Sequence, residues 1–338
     1  MLKYGAKLGF TVARHSSYGH ALTANAMTGL PLRLSAAAAC LLHAVTALAP
    51  IPFELAGRGE AGAVHDLVAR SVSPVAAAAL QLSVSPKLCH GLRLPPATRG
   101  RLCFRIFAAS VGGLVRIEGS SAVDLARGVG TYFREYHNCS FSWKRTGGFQ
   151  SALALPPSQW PAIQGRTEVR RSNISYYQNV VASSYTHAFW KFEDWQHFID
   201  WMALSGINIA LAYTGQELLY QKTFAKFGVN TSQFGNWSNG VAWLGWSRGQ
   251  SMHGVGTSAE KPLSQTWMQK QWALQKQILA RMRQLGIVPV LPAFQGNVPP
   301  VMKTELFPSA NISVQGSGRH YAAWLDATDP LFQQIGDE

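Results

Sequence analysis

Hydrophobic and polar positions alternate in blocks over the second half of the chain, and these blocks predict strands followed by helices. Between Phe192 and Met202 the apolar residues recur at the spacing of one helical face, and Gly206 is placed to end the helix in a left-handed C-cap. The next segment, Ile207 to Tyr213, is almost uniformly apolar, which is typical of a parallel strand covered on both faces. The pattern therefore predicts a helix that leads into a buried strand.

The same alternation extends over a longer region. The predicted strands are Tyr176 to Ala182, Ile207 to Tyr213 and Ile287 to Phe294, and the predicted helices are Phe192 to Leu204, Glu217 to Phe227 and Thr266 to Leu285. Such alternation predicts right-handed βαβ units, in a (β/α)8 barrel or in an open doubly wound sheet. No glycine-rich phosphate loop follows these strands, which favours the barrel. Pro289 and Pro292 are unusual in a central strand, so the third strand must tolerate missing donors.

A small α+β domain is predicted ahead of the barrel. Ala63 to Val72 is amphipathic at helical spacing, and Arg101 to Ala108 and Gly113 to Ile117 predict two strands joined by a glycine turn. Ser121 is placed to cap a following helix. The fold class we predict is α/β, with an N-terminal extension over residues 1–50, a small α+β domain over 51–160, and the first three βα units of an incomplete (β/α)8 TIM barrel over 161–338.

The first 50 residues contain the pattern of a secretory signal. After Met27, a short segment with Arg33 leads into an alanine- and leucine-rich run and an Ala-x-Ala sequence that ends at Ala49. The run is too short for a stable membrane span, and a buried helix is the alternative. We expect translation to start at Met27 and cleavage to fall near Ala47 or Ala49. Five Asn-x-Ser sequons predict glycosylation in the same compartment, at Asn138, Asn173, Asn230, Asn236 and Asn311.

Composition excludes several classes of protein. With 47% hydrophobic and 14% charged residues, the chain has globular or secreted composition. Its net charge of +13 is spread along the sequence and is densest at Arg166, Arg170 and Arg171, so we expect no nucleic-acid partner. Four cysteines without a CxxC pair exclude a cysteine-rich metal module. The histidines at 187, 253 and 320 are isolated from one another, so no metal or other cofactor is expected.

Candidate chemistry lies where the predicted strands end, because functional residues of a barrel sit at the carboxyl ends of its strands. Asn179 and Tyr185 flank the first strand end, Thr214 to Glu217 follow the second, and Gln295 to Asn297 follow the third. Glu217 is a candidate general acid or base, although a glutamate in the first turn of a helix also stabilises the helix dipole.

The insertion Phe234 to Leu263 is rich in aromatic residues. It carries Trp237, Trp243, Trp246, Arg248 and His253 among glycines and serines. Aromatic planes over a strand end suit a wall that stacks on a sugar, and a loop that packs its own small cluster is the alternative.

Four segments carry a resemblance to a known family. They are Tyr176 to Val180, Ile199 to Asn208, Ala210 to Glu217 and Pro289 to Gly296. From about Tyr176 to the C-terminus, and more weakly from Arg101 to Trp160, the chain resembles the alpha-N-acetylglucosaminidases of glycoside hydrolase family 89. The resemblance implies a secreted or lysosomal enzyme that removes terminal alpha-linked N-acetylglucosamine from heparan sulfate, and it leaves homo-oligomerisation of the full-length enzyme open.

Carried over by position, the resemblance implies that Asn179, Tyr185 and Trp246 line the sugar pocket. Two positions depart from the family, because Val181 replaces a pocket cysteine and Gly318 replaces a tryptophan that contacts the sugar.

The resemblance also implies retaining hydrolysis, which needs two glutamates about 5–5.5 Å apart. Both lie on later barrel strands, and this chain ends at Glu338 before either, so no catalytic residue is assigned. We expect no glycosidase activity from these 338 residues alone. The leading hypothesis is the N-terminal portion of such an enzyme, as a fragment, a splice form or an incomplete gene model. A catalytically dead, secreted glycan-binding module is the alternative.

Overall fold

A computed structural model describes residues 59–90, 102–151, 154–238, 240–243, 263–315 and 322–338. All of these lie in the compact unit that runs from Phe53 to Glu338. Several predictions fall outside the described residues, namely the start at Met27, the signal segment, Trp246, Arg248, His253, His320 and the departure at Gly318.

The N-terminal part has the predicted mixture of helices and sheet, and its sheet has four strands where the sequence predicted two. Its elements are α1 (Ala61–Ser71), α2 (Pro74–Ala78), β1 (Leu80–Val84), β2 (Cys103–Ile106), β3 (Val115–Gly119), α3 (Ala122–His137) and β6 (Arg166–Val169), with a hairpin of β4 (Ser140–Phe141) and β5 (Phe149–Gln150) inserted after α3. The sheet order is β1-β3-β2-β6, in which only β1 and β3 are parallel. Ser121 caps α3, because its Oγ accepts a hydrogen bond from the Asp124 amide at 3.3 Å. A disulfide joins Cys89 to Cys103, and Cys139 is a buried free thiol.

The second part alternates strands and helices in the predicted order. Its elements are β7 (Tyr176–Tyr177), α4 (Phe192–Leu204), β8 (Ile209–Leu211), α5 (Gln216–Lys226), α6 (Thr231–Trp237), α7 (Gln265–Gln284) and β9 (Val288–Val290). The three strands form a parallel sheet in the order β7-β8-β9, and no closed sheet is formed within the described residues. They are followed by β10 (Asn297–Val298), a π-helix (Met302–Leu306), β11 (Ile312–Gln315), β12 (Ala322–Leu325) and α8 (Pro330–Asp337).

The strands of the parallel sheet are shorter than the sequence predicts. The strand expected over Tyr176 to Ala182 ends at Tyr177, and Val180–Ser184 forms a 3-10 helix instead. The cause is local, since the Asn179 side chain accepts a hydrogen bond from the Val181 amide at 2.9 Å and so caps a helical turn. The predicted helices are accurate, because Phe192–Leu204 is reproduced and Gly206 has the left-handed φ of 77° expected after it.

Pro289 fits its strand because of the direction in which its backbone faces. The Val288 amide donates to the Asn208 carbonyl at 2.8 Å, and the Ala212 amide donates to the Val290 carbonyl at 3.0 Å. The ladder with β8 therefore uses the residues on either side of Pro289, and the missing donor lies on the other edge of β9.

One hydrophobic core joins the two parts, and buried ion pairs cross it. The core contains Val64 of α1 and Phe133 of α3 together with Ile199 of α4 and Ile287 before β9. Asp200 of α4 is buried and pairs with Arg70 of α1 at 3.0 Å and with Arg281 of α7 at 2.6 Å. In the described part of the chain, no helix is long and apolar enough to cross a membrane.

Candidate functional site

The carboxyl end of β7 presents the first candidate residue. Asn179 is the second residue after the strand and is exposed, although its Oδ1 also accepts from the Val181 amide. The short 3-10 helix that it caps leads to Tyr185, which is 38% exposed. The sequence-predicted Asn179 and Tyr185 therefore lie at the two ends of one helical turn, on the edge of the sheet where barrel enzymes bind their ligands.

Trp243 lies beside Tyr185. The two rings meet edge to face with centroids 5.4 Å apart, and the Trp243 amide donates to the Ser184 carbonyl at 2.8 Å. Trp243 is 64% exposed, so its apolar ring faces solvent at the rim. Trp237 behaves differently, because it belongs to α6 and is buried against Phe224 and Phe234. Of the described aromatic residues in the insertion, Trp243 thus suits a stacking wall and Trp237 is core.

Glu217 lies below the rim. Gly215 has a φ of 76° and begins α5, which places Glu217 in the first turn of that helix. The carboxyl-bearing side chain is only 2% exposed. Its position accords with the structural alternative, in which the carboxylate stabilises the positive end of the helix.

The third strand end does not form a polar rim. Gln295 is exposed, but Asn297 is buried and begins β10, where it pairs with Trp324 of β12. The Asn297 side-chain amide has no hydrogen-bond partner in the described part of the chain. Pairing of β10 with β12 buries Asn297. The strand pattern alone could not predict this pairing.

His187 supports the rim from beneath. It is buried and lies against the Trp190 ring at a centroid distance of 3.9 Å, and its Nδ1 lies 3.1 Å from the Gln178 side-chain nitrogen. Burial lowers the pKa of His187 to about 3, so the imidazole is neutral and accepts the hydrogen bond from the Gln178 amide. Since Gln178 precedes Asn179, this contact helps to fix the segment that carries the candidate residue.

A groove of about 580 Å³ adjoins Tyr185 and was not predicted. It is lined by the aromatic side chains of Tyr185, Phe189 and Trp243 and by Lys144 and Arg145 of the β4–β5 hairpin. We call it the aromatic groove. The available sequence signal was a Trp-Lys-Arg run before two glycines, but this hairpin precedes the barrel and its neighbours in space could not be inferred from spacing.

The described histidine, cysteine and acidic residues form no group of three or more that could hold a metal ion. Four of the five sequon asparagines, Asn138, Asn230, Asn236 and Asn311, are exposed. Asn173 is half-buried, and its Oδ1 accepts from the Leu102 amide at 3.2 Å. Because Asn173 is half-buried, a glycan attached to its Nδ2 has less room than at the four exposed sequons.

Fold and rim together define a class of architecture. The described chain is the opening part of a (β/α)8 barrel, preceded by an α+β domain that shares its core, with amide and aromatic side chains at the carboxyl end of the first strand.

Comparison with known proteins identifies the family within this class. The sequence model of the alpha-N-acetylglucosaminidase (NAGLU) N-terminal domain matches residues 62–162, and that of the NAGLU tim-barrel domain matches residues 175–338. Human alpha-N-acetylglucosaminidase is 36% identical over 284 residues, which cover 82% of this chain and 36% of the human protein. The chain belongs to the alpha-N-acetylglucosaminidase family, glycoside hydrolase family 89.

Solved structures of the family have the same fold. The family 89 glycoside hydrolase from Clostridium perfringens in complex with PUGNAc matches with a TM-score of 0.69 and 24% identity, over 85% of this chain and 31% of that one. A form of the Clostridium perfringens enzyme with two glutamates replaced by glutamine, in complex with its substrate GlcNAc-alpha-1,4-galactose, matches with a TM-score of 0.70 and 25% identity over the same shares. The chain thus spans about a third of the length of the relatives it matches.

Proposed function

We propose that this chain forms the N-terminal portion of an alpha-N-acetylglucosaminidase and supplies one wall of the site for a terminal N-acetylglucosamine. The observation that carries the proposal is the placement of Asn179 and Tyr185, both accessible, at the two ends of the turn after β7. An amide can hydrogen-bond the hydroxyl and acetamido groups of a sugar, and a phenol ring can pack against its apolar face. The substrate class is a glycan that ends in alpha-linked N-acetylglucosamine, as in heparan sulfate.

The bond-breaking step is assigned to residues outside the described chain. Retaining hydrolysis needs an acid/base carboxyl group and a nucleophilic carboxylate about 5–5.5 Å apart. The resemblance to the family implies that both lie on later barrel strands than β7, β8 and β9. We therefore propose that the 338 residues bind the sugar without cleaving it.

The proposed compartment is the secretory pathway, with a lysosomal or extracellular destination. The signal-like segment after Met27 and the exposed sequons support this proposal. We propose that the exposed Asn138, Asn230, Asn236 and Asn311 carry N-glycans, and that the half-buried Asn173 is glycosylated least.

Turnover of a chromogenic alpha-N-acetylglucosaminide tests the assignment of chemistry. The purified 338-residue chain should release no chromophore, while human alpha-N-acetylglucosaminidase in the same assay should. Turnover by the purified chain, retained after immunodepletion controls for contaminating enzyme, would refute the proposal.

A glycan-binding module without catalysis is the second candidate, and the exposed Trp243 ring favours it. Hydrolysis and binding assays on the native protein, purified from the cells that make it, distinguish the two candidate functions. Hydrolysis by the native protein supports the enzyme, whereas saturable binding without hydrolysis supports the module.

A further inference from the structure

The aromatic groove has an apolar wall that is held in place. Phe189 is 62% exposed and Trp243 is 64% exposed, and their ring centroids lie 6.4 Å apart. The backbone hydrogen bond from Trp243 to Ser184 and the edge contact with Tyr185 fix the tryptophan relative to the rim. Rings held in this way, with their faces open, lose little conformational entropy when a sugar ring packs against them.

The floor of the groove is rigid. Trp143 and Trp190 line it, and each contacts the buried Phe198 ring, at centroid distances of 5.3 Å and 5.2 Å. Phe198 belongs to α4, which follows directly from the rim segment. The groove is therefore built on the same helix that supports the candidate sugar site.

The β4–β5 hairpin contributes two basic residues, Lys144 and Arg145, to the lining of the groove. Lys144 Nζ lies 3.0 Å from Asp194 Oδ1, and this ion pair ties the hairpin to the first turn of α4. Arg145 is exposed and makes no hydrogen bond or ion pair with any other residue that the structure describes. Since Asp194 offsets Lys144, the net charge of the groove comes from Arg145. A guanidinium can pair with a sulfate or carboxylate through two parallel hydrogen bonds.

We propose that the aromatic groove is a second sugar site, which takes an anionic sugar unit that follows the terminal N-acetylglucosamine in the substrate chain. This inference rests on the proposed function and extends it to a charged substrate class. Tyr185 connects the two sites, because it ends the turn that begins at Asn179 and also lines the groove. The next unit of a sugar chain bound at the rim would then enter the groove that these aromatic rings and Arg145 line.

Calorimetric titration of the 338-residue chain tests this site. The probes are a tetrasaccharide of alternating uronic acid and glucosamine that ends in alpha-linked N-acetylglucosamine, in sulfated, desulfated, and desulfated and carboxyl-reduced forms. The sulfated form should bind more tightly than the uncharged form. If affinity falls on desulfation, the groove binds the sulfate group. If affinity falls only on carboxyl reduction, the groove binds the carboxylate of the uronic acid.

Matched arginine variants locate the effect. Arg145→Gln should weaken binding of the preferred anionic form by about tenfold, the loss of one exposed charge-assisted contact, and should leave the uncharged form unchanged. Arg171→Gln removes another exposed charge, which precedes β7 at the opposite end of the sheet, and should leave both affinities unchanged. Trp243→Ala should weaken all three forms, since stacking does not depend on charge. Near-ultraviolet circular dichroism confirms that each variant is folded.

Failure of the second sugar site and failure of the proposed function give different results in these titrations. Equal losses in the two arginine variants, or no loss in Arg145→Gln, would overturn the second site. If a neutral disaccharide that ends in N-acetylglucosamine still binds in that case, the proposed function survives. If that disaccharide fails to bind while the dependence on Arg145 holds, the groove stands and the terminal sugar site does not.

Discussion

At the scale of single residues, the buried His187 makes the stability of the folded chain depend on pH. Its imidazole is neutral in the folded protein because burial lowers its pKa to about 3, whereas an unfolded histidine titrates near pH ~6.5. Between these values the unfolded chain binds more protons than the folded chain. The contribution of His187 to stability is therefore complete above about pH 6.5 and declines as the pH falls towards the folded pKa.

Replacement of His187 should flatten the acid side of the stability profile. His187→Gln should be less stable than the parent at pH 7, because it loses the packing against Trp190. The difference between the free energies of unfolding of the parent and of His187→Gln should narrow by up to about 1.4 kcal/mol per pH unit as the pH falls below 6.5. Urea unfolding at several pH values measures this, with His90→Gln, at an exposed histidine, as the control. Parallel profiles for His187→Gln and the parent would contradict the account.

Asp200 is the second residue whose environment makes a sharp prediction. It is buried on α4 and bridges Arg281 of α7, at 2.6 Å, and Arg70 of α1, at 3.0 Å. Asp200→Ala leaves the buried Arg281 without its carboxylate, so we expect a loss of about 3–5 kcal/mol in the free energy of unfolding. The exposed pair of Arg166 with Glu135 provides the control, and Glu135→Gln should cost less than about 1 kcal/mol. Urea unfolding measures both changes. Similar losses of unfolding free energy in the two variants would show that the buried ion pairs of Asp200 stabilise the fold no more than an exposed pair does.

At the scale of elements, the end of α4 depends on one backbone conformation. Gly206 has a φ of 77°, and a Cβ there would lie 2.5 Å from Arg127 Cδ. Gly206→Ala should lower stability by about 1–2 kcal/mol, the cost of a left-handed conformation for an L-residue. Gly62 lies in α1, where an added methyl group would meet only open space, so Gly62→Ala should be neutral or stabilising by up to about 1 kcal/mol. The thermal unfolding temperature should fall in Gly206→Ala and should rise or stay unchanged in Gly62→Ala. A decrease in Gly62→Ala as large as that in Gly206→Ala would contradict this account.

The elements also show how far the sequence leads. The helices of the three βα units could be predicted to within a residue, since burial along α4 repeats at the helical period and Gly206 marks its end, whereas α2, α6 and α8 were not predicted. The strands were overextended because Ile207 and Ala212 are buried against neighbouring elements without belonging to β8. An apolar run reports burial, and burial does not distinguish a paired strand from the loop beside it.

The candidate site follows the same division. Asn179 and Tyr185 could be proposed as site residues because they follow a recognisable strand and were carried over by position from the family. Arg145 could not, because its place beside α4 in the lining of the aromatic groove depends on how the β4–β5 hairpin folds. Contacts between residues distant in sequence are set by packing, which periodicity does not encode.

At the scale of the whole molecule, the N-terminal domain supports the barrel. The core that contains Val64 and Phe133 also contains Ile199 and Ile287, and Arg170 donates to the Gly206 carbonyl at 2.6 Å. The boundary expected near residue 160 stays a prediction. What the shared core indicates is that the first barrel strands owe their position to the domain that precedes them.

The central claim is that this chain supplies sugar-binding residues of a family 89 site while the chemistry belongs to residues on later strands. Calorimetric titration of a neutral disaccharide that ends in alpha-linked N-acetylglucosamine into the 338-residue chain tests it most directly. We predict saturable binding at one site, weakened about tenfold or more in Asn179→Ala and Tyr185→Ala and unchanged in Leu114→Ala, at an exposed apolar side chain of the N-terminal domain. The absence of binding by the folded parent chain, or parent-like affinity in both rim variants, would contradict the account.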